Sequence, residues 1–465
     1  MPHKCIMSVD IGSTYTKAAF FKLEGRDSCV IAQESVPTTS DDVSKGFFLA
    51  EKELFHKTGL MAGKVYFSSS ARGGLKIAAM GLVSGLTLAI AKLVAASAGG
   101  KIVGSFSYGL TAHDIEKLKE WEPDIVLMTG GTDGGHESLT LKNAGMLAAA
   151  RLPASIIFAG NNRIQEKVAG ILSDSEVYFA DNVMPEVGEV NIEPAREIIR
   201  RIFINKIVDG KGLSALIKKV GNPPKPTPLS MFELVGKLPL YGTEWDNVCV
   251  VDMGGATTDV YSNTETASVN SAVVLKGIRE PRLTRTVEGD LGLRVSAGSV
   301  TQSAENQVKK ALSSGGLEWL RFCEYVLHVT HKTDALPRNR EEREFDRILA
   351  TACLTVSLMR HAGRTRPVWT SNGTVLVQRG KDMRSVKKMI GTGGFLALER
   401  DACVYDRALK KETLKDEEEV LLPERPEIYA DAEYLLPLLG NLACDFPEET
   451  AMLAIQSLEP IQKAA

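Results

Sequence analysis

Short apolar runs alternate with stretches of helical periodicity almost throughout the chain, the pattern of an α/β protein whose sheets are covered on both faces. Runs bounded by turn residues predict strands at Cys5–Asp10, Lys17–Leu23, Val65–Ser69, Ile125–Met128, Ser155–Phe158, Val177–Phe179, Val248–Asp252 and Thr258–Tyr261. Apolar positions at helical spacing predict helices over Leu75–Ala96, Ala112–Glu120, Asn162–Leu172, Pro194–Ile207 and Arg347–Ala362. The longest apolar run, between Lys76 and Lys92, is too short for a membrane span and reads as a fully buried helix. Four prolines in Gly221–Pro228 exclude a helix or central strand and mark a seam between two halves. Past residue 400 the chain turns charged and then Leu-rich, as an exposed helix followed by a stop.

At roughly 100–200 residues per domain, 465 residues imply two to four structural units. With 55 Lys+Arg against 58 Asp+Glu the formal charge is −3, which excludes the basic footprint of a nucleic-acid binder or a polybasic membrane-surface protein. Seven cysteines, at 5, 29, 249, 323, 353, 403 and 444, lack CxxC spacing and read as reduced, mostly buried thiols. Asp10 breaks the first apolar stretch, so no signal peptide is expected and the location expected is cytoplasmic.

A coarse echo links the two halves. Ser8–Lys17 reads SVDIGSTYTK and Val250–Asp259 reads VVDMGGATTD: an apolar strand, an Asp, a Gly/Ser/Thr turn, then a second strand. This is an antiparallel-hairpin cradle for phosphates, unlike a strand-to-helix P-loop. Gly12, Gly254 and Gly255 let backbone N–H groups approach phosphate oxygens with no Cβ in the way. Ser13, Thr14, Thr257 and Thr258 add hydroxyl donors, and Lys17 offers a point charge or pairs with a surface carboxylate. Asp10 and Asp252, expected to face each other across a cleft, would hold Mg²⁺ largely through its waters. A third cluster, Gly391, Thr392, Gly393 and Gly394, follows a helical stretch and could lie flat against an adenosine. There is no Walker A sequence and no GxGxxG.

These residues resemble, in order, the two phosphate motifs and the adenosine motif of the actin/Hsp70/sugar-kinase superfamily. More narrowly, the chain is similar to the accessory proteins of adenosylcobalamin-dependent glutamate mutase, the MutL or GlmL type. The strings that carry this are DIGSTYTKA, SSSARGGLKIAAMGLV, IVLMTGGTDGG, NVMPEVGEVNIEPAR, DMGGATTDVYS, VEGDLGLR, RHAGR, and VQRGKD leading into IGTGG. The resemblance extends over most of residues 5–400. It implies a two-lobed, ribonuclease H-like α/β ATPase fold that binds ATP or ADP with Mg²⁺. It also implies a chaperone or reactivating role toward the subunits of a cobalamin mutase. The organisation expected is an N-terminal ATPase lobe over 1–220 with a possible inserted subdomain and a connector over 221–246. A C-terminal ATPase lobe over 247–400 and a helical tail over 401–465 follow. The DxHxxG histidine motif of cobalamin binding is absent, so this chain would act on a cobalamin enzyme without holding the cofactor through such a histidine.

Asp10 and Asp252 are the expected organisers of magnesium and the hydrolytic water, with Asp259 fixing the second hairpin. Closure of the lobes on ATP and opening after hydrolysis would drive the client. Two other classes share the motifs: a small-molecule kinase or hydantoinase/carboxylase-like enzyme, and a nucleotide-dependent scaffold without useful hydrolysis. Iron–sulfur activators of the same fold need clustered cysteines, which this chain lacks. Thr129–Gly135 is a further Gly-rich turn, either a ligand-facing loop with Asp133 as a polar ligand or a tight strand-to-helix connection. His328 and His331 lack companion ligands for a metal, and Lys381 and Asp382 read as solvated turn charges.

Overall fold

The chain divides into two units, one built from 1–22, 30–230 and 277–279 and the other from 23–29, 231–276 and 280–465. The structure, a computed structural model, describes residues 5–12, 15–39, 42–70, 75–208, 213–265, 273–371, 373–410 and 418–462.

The first unit opens with strands β1 (Cys5–Ile11), β2 (Tyr15–Lys22), β3 (Cys29–Pro37) and β4 (Ala62–Ser69). It continues through β5 (Lys76–Gly81), β6 (Lys101–Ser107), β7 (Ile125–Met128), β8 (Ser155–Phe158), β9 (Val177–Phe179) and β10 (Lys225–Pro226). One sheet has the order β10-β4-β1-β2-β3, with β1 antiparallel to β2 and parallel to β4, and β4 parallel to β10. The other, β6-β5-β7-β8-β9, is parallel at every pairing. Counted from its own first strand its order is 2-1-3-4-5, a doubly wound arrangement. Its strands bury both faces, as parallel sheets do. Ile77, Ala79, Ile125, Leu127 and Ile157 enter one core, and Ala78, Met80, Val126, Met128, Ile156 and Phe158 the other.

The helix expected over Leu75–Ala96 is instead strand β5, a turn, and a helix over Thr87–Ser97. A short apolar run in a two-sided core carries no alternation to separate strand from helix. The chain turns at Gly81, where a Cβ would stand 2.3 Å from the Leu88 nitrogen. In the proline segment, Lys225–Pro226 forms an edge strand, where a missing N–H is tolerated. Pro228 sits in the first turn of helix Thr227–Val235, where no N–H partner is lost.

The second unit contains β11 (Val248–Met253), β12 (Thr258–Asn263), β13 (Val273–Leu275), β14 (Leu283–Glu288) and β15 (Arg364–Thr370). It ends with β16 (Gly373–Arg379), β17 (Lys388–Thr392), β18 (Glu419–Val420), β19 (Glu427–Ala430) and β20 (Glu459–Ile461). Its main sheet runs β14-β12-β11-β17-β19-β20. Strand β12 is antiparallel to both of its neighbours, β11 and β14, and β11, β17 and β19 are parallel. A hairpin flanked by parallel strands therefore occurs once in each unit. A second sheet has the order β13-β16-β15-β18. Helix Arg340–His361 supplies much of the core; Asn339 caps it by accepting from the Glu342 N–H, and Glu341 and Glu342 suit its positive end.

Residues 401–465, expected as a helical tail, also contribute strands β18, β19 and β20. In β19, Ile428 and Ala430 point into the core while Tyr429 is half-buried, a period of two in only four residues.

Candidate functional site

The first hairpin puts Asp10 directly opposite Lys17 across the β1/β2 ladder. The turn closes with the Gly12 N–H donating to the Tyr15 carbonyl at 3.0 Å. A Cβ on Gly12 would lie 2.8 Å from that carbonyl oxygen, so the turn needs glycine. Asp10 is only 3% exposed. Its Oδ1 accepts from Thr227 Oγ1 at 2.6 Å and from Ser68 Oγ at 2.7 Å. Burial pushes the Asp10 carboxyl above its usual range, opposed by the Thr227 and Ser68 hydroxyls and the Lys17 charge. Ser13 and Thr14 lie outside the described residues.

The second hairpin repeats the turn. The Gly254 N–H donates to the Thr257 carbonyl at 2.9 Å, and Asp252 stands half-buried opposite Asp259. Gly255 is exposed and Thr257 half-buried. Thr258 is buried and its hydroxyl donates to the Leu291 carbonyl at 2.9 Å, so it serves the fold and not a phosphate. Asp259 does fix this hairpin. Arg285, from β14, donates to Asp259 Oδ1 from Nε at 3.0 Å and from Nη2 at 2.6 Å, with both side chains buried. Burial opposes the Arg285 charge, yet the Asp259 carboxylate holds the guanidinium above its usual value.

The Gly391–Gly394 cluster ends strand β17; the preceding segment is a strand and not the expected helix. Parallel pairing sets Thr392 beside Asp252, so this turn and the second hairpin share one sheet end. Gly393 has φ of +90°, and a Cβ there would lie 2.2 Å from the Met253 carbonyl oxygen. Gly393→Ala is therefore expected to destabilise the chain by about 1–3 kcal/mol in a denaturant melt. Gly394→Ala, where a Cβ meets nothing within 4 Å, should leave the midpoint unchanged. Thr392 is buried and donates to Asp431 Oδ2 at 2.8 Å. Asp431 in turn accepts from the Leu435 N–H at 2.8 Å and the Leu436 N–H at 3.3 Å. The Thr392 hydroxyl is thus committed to the fold, and only backbone remains for a ligand.

Asp10, Gly12 and Lys17 come together in the first unit; Asp252, Gly254, Gly255, Thr257 and Gly391–Gly394 come together in the second. Ser68, Thr227, Arg285 and Asp431 have no local sequence signal, since each reaches its partner from a distant segment. Asp133 is tied to the Asn162 N–H at 2.8 Å and to Asn182 Nδ2 at 2.9 Å, as a tight connection requires. Lys381 is not a solvated turn charge. It is 5% exposed, donates to the Pro281 carbonyl at 2.8 Å, to the Arg282 carbonyl and to Thr284 Oγ1 at 3.1 Å, and burial lowers it to about 8. Of the cysteines, Cys5, Cys249 and Cys353 are buried, while Cys29, Cys403 and Cys444 are exposed, fewer buried thiols than expected. Among the described residues no helix is long and apolar enough to cross a membrane.

Both units are thus mixed α/β, each with an Asp near the end of its hairpin's first strand and a glycine turn beyond it. Residues 6–458 match the MutL protein family, and the chain belongs to it. Protein MutL of Clostridium tetanomorphum is 35% identical over 460 residues, covering 96% of this chain and 97% of that one. Among solved structures, gluconate kinase from Lactobacillus acidophilus is similar at 10% identity and a TM-score of 0.36, over 99% of this chain and 93% of that one. A glycerol dehydratase reactivase is similar at 9% identity and a TM-score of 0.32, over 95% of this chain and 99% of that one.

Proposed function

We propose that this chain binds and hydrolyses Mg-ATP, and that the cycle serves an accessory, reactivating role toward an adenosylcobalamin-dependent mutase of the glutamate mutase type. The observation that carries the nucleotide reading is the repeated turn. In each unit an Asp stands one residue before the end of the hairpin's first strand, and the glycine two residues after it closes the hairpin on the carbonyl three residues further on. The mutase reading rests on membership of the MutL family.

The donor set fits a hydrated magnesium ion. Asp252 is half-buried, and the two hydroxyls that reach Asp10 among the described residues go to Oδ1, so that a metal-bound or attacking water would meet Oδ2. Among the described residues no group of three His, Cys, Asp or Glu side chains could hold a metal, so contact would run through water and phosphate. Bound magnesium would supply charge neutralisation at the phosphates. Backbone N–H groups at the Gly254–Gly255 turn would face phosphate oxygens, and Gly393–Gly394 would lie against the adenosine. In the first unit Asp10, its carboxyl raised by burial, would take a proton from water.

Asp252→Asn is expected to weaken Mg-ATP binding or slow turnover at least about tenfold, by loss of one charge-assisted contact. Unchanged magnesium-dependent turnover would remove Asp252 from the site. Native protein that binds ATP but shows no steady-state hydrolysis is a scaffold. A cobalamin enzyme subunit should be retained by the tagged protein in a nucleotide-dependent way, and oxygen-inactivated mutase should regain activity with Mg-ATP.

A further inference from the structure

The second unit holds a cavity of about 540 Å³ that includes no residue of either hairpin or of the Gly391–Gly394 turn. Its charged lining comes from Glu280, Arg360, Arg364, Arg366, Arg379 and Glu418. The β15/β16 ladder explains why the arginines converge. Arg364 is directly opposite Arg379, and Arg366, two residues further along β15, shares their face. Like charges directly opposite on a sheet are destabilising, so this face carries a cost as it stands.

Two of the four guanidiniums are neutralised by the fold. Arg360 pairs with Glu288 at 2.6 Å and Asp290 at 2.9 Å, and Arg364 pairs with Glu418 at 3.1 Å. Arg366 and Arg379 are exposed and have no acidic partner among the described residues. The histidine that lines the cavity is already hydrogen-bonded. His361 shares its ring nitrogens with Thr286 Oγ1 at 2.9 Å and Ser262 Oγ at 2.8 Å. Ser262 and Thr284 hydroxyls are 2.9 Å apart, and Lys381 donates to Thr284 from behind. Glu280 also lines the cavity, with its carboxyl raised by burial.

We infer that this cavity binds a small organic anion bearing a carboxylate or phosphate group, gripped by Arg366 and Arg379 with Arg364 beside them. Paired guanidinium forks suit the planar or tetrahedral oxyanion geometry, and the volume falls in the range of about 300–1,000 Å³ typical of small-molecule sites.

The test is calorimetric titration of the full chain with inorganic phosphate and, separately, with succinate at constant ionic strength, together with melts of each protein. At least one anion should bind saturably and raise the melting midpoint. A response to phosphate alone assigns a phosphate-bearing ligand, and a response to succinate alone a carboxylate. Arg366→Gln and Arg379→Gln should each weaken that binding about tenfold or more. Without ligand, Arg379→Gln should melt no lower than the native chain, because it removes the like-charged pair. The inference is overturned if neither anion binds, or if both variants bind as the native chain does and the anion therefore sits elsewhere. A ligand-free Arg379→Gln that melts well below native would also overturn it, since the charge would then be serving the fold.

Discussion

Asp10→Asn is expected to fold at least as stably as the native chain at neutral pH while losing about 10²–10³-fold of its ATP turnover. The two effects share one cause. Asp10 is 3% exposed, and burial outweighs the help its carboxyl receives from Thr227, Ser68 and Lys17, so its folded value lies above the unfolded one. A group raised on folding contributes its full stability below the unfolded value, near pH 4, and loses it as pH climbs through the raised folded value. Above that window the native chain carries a desolvated carboxylate, and the amide does not. The amide oxygen can still accept from Ser68 and Thr227, so packing survives. What disappears is the group that can take a proton from water. Denaturant midpoints of the two proteins at pH 4 and pH 7.5, beside steady-state turnover, decide the matter. A variant that melts lower at pH 7.5, or that hydrolyses ATP at the native rate, would contradict the role given to Asp10.

Arg285→Ala should be the most damaging single change to stability, at about 3–5 kcal/mol, because it strands a buried carboxylate. Arg285 is 1% and Asp259 9% exposed in their side chains, so no solvent is at hand to replace the lost partner. The guanidinium carbon also lies 5.7 Å from the Tyr261 ring centre. Removing both charges with apolar residues of similar size, as in Arg285→Met with Asp259→Leu, should recover most of the loss. A double variant as unstable as the single one would mean that the arginine acts by packing and not by charge. Because Asp259 stands opposite Asp252 on the hairpin, any displacement in the single variant should reach the nucleotide reading as well.

How much of this was legible in the sequence depends on distance along the chain. Strands Ile125–Met128, Ser155–Phe158 and Val177–Phe179 coincide with expectation, because turn residues bracket each apolar run. The two Asp–Gly hairpins were legible for the same local reason. The segment from Lys76 to Lys92 was misread because a strand buried on both faces carries no alternation, and Ala and Met serve either element. Strands β18 to β20 were missed because two to four residues are too few to show a period, and Pro460 argues against a strand except at an edge. Thr258 reads as a hydroxyl donor to a phosphate and Thr392 as part of an adenosine-facing turn, yet Leu291 and Asp431, reached only by folding, take both hydroxyls. Lys381 reads as a solvated turn charge because nothing near it in sequence reveals the carbonyls of residues 281 and 282 that enclose it.

The partners of Asp10 also set a schedule for synthesis. A ribosome delivers Ser68 58 residues after Asp10, and Thr227 217 residues after it. Between the last two lies the entire parallel sheet β6-β5-β7-β8-β9, which closes over contacts of far shorter range. Vectorial folding can consolidate that sheet first, while the Asp10 carboxylate waits for the strand at Lys225–Pro226 to pair and bring Thr227 to it. The earliest residue of the proposed ATP site to leave the ribosome therefore acquires its finished surroundings only after the first unit is nearly complete.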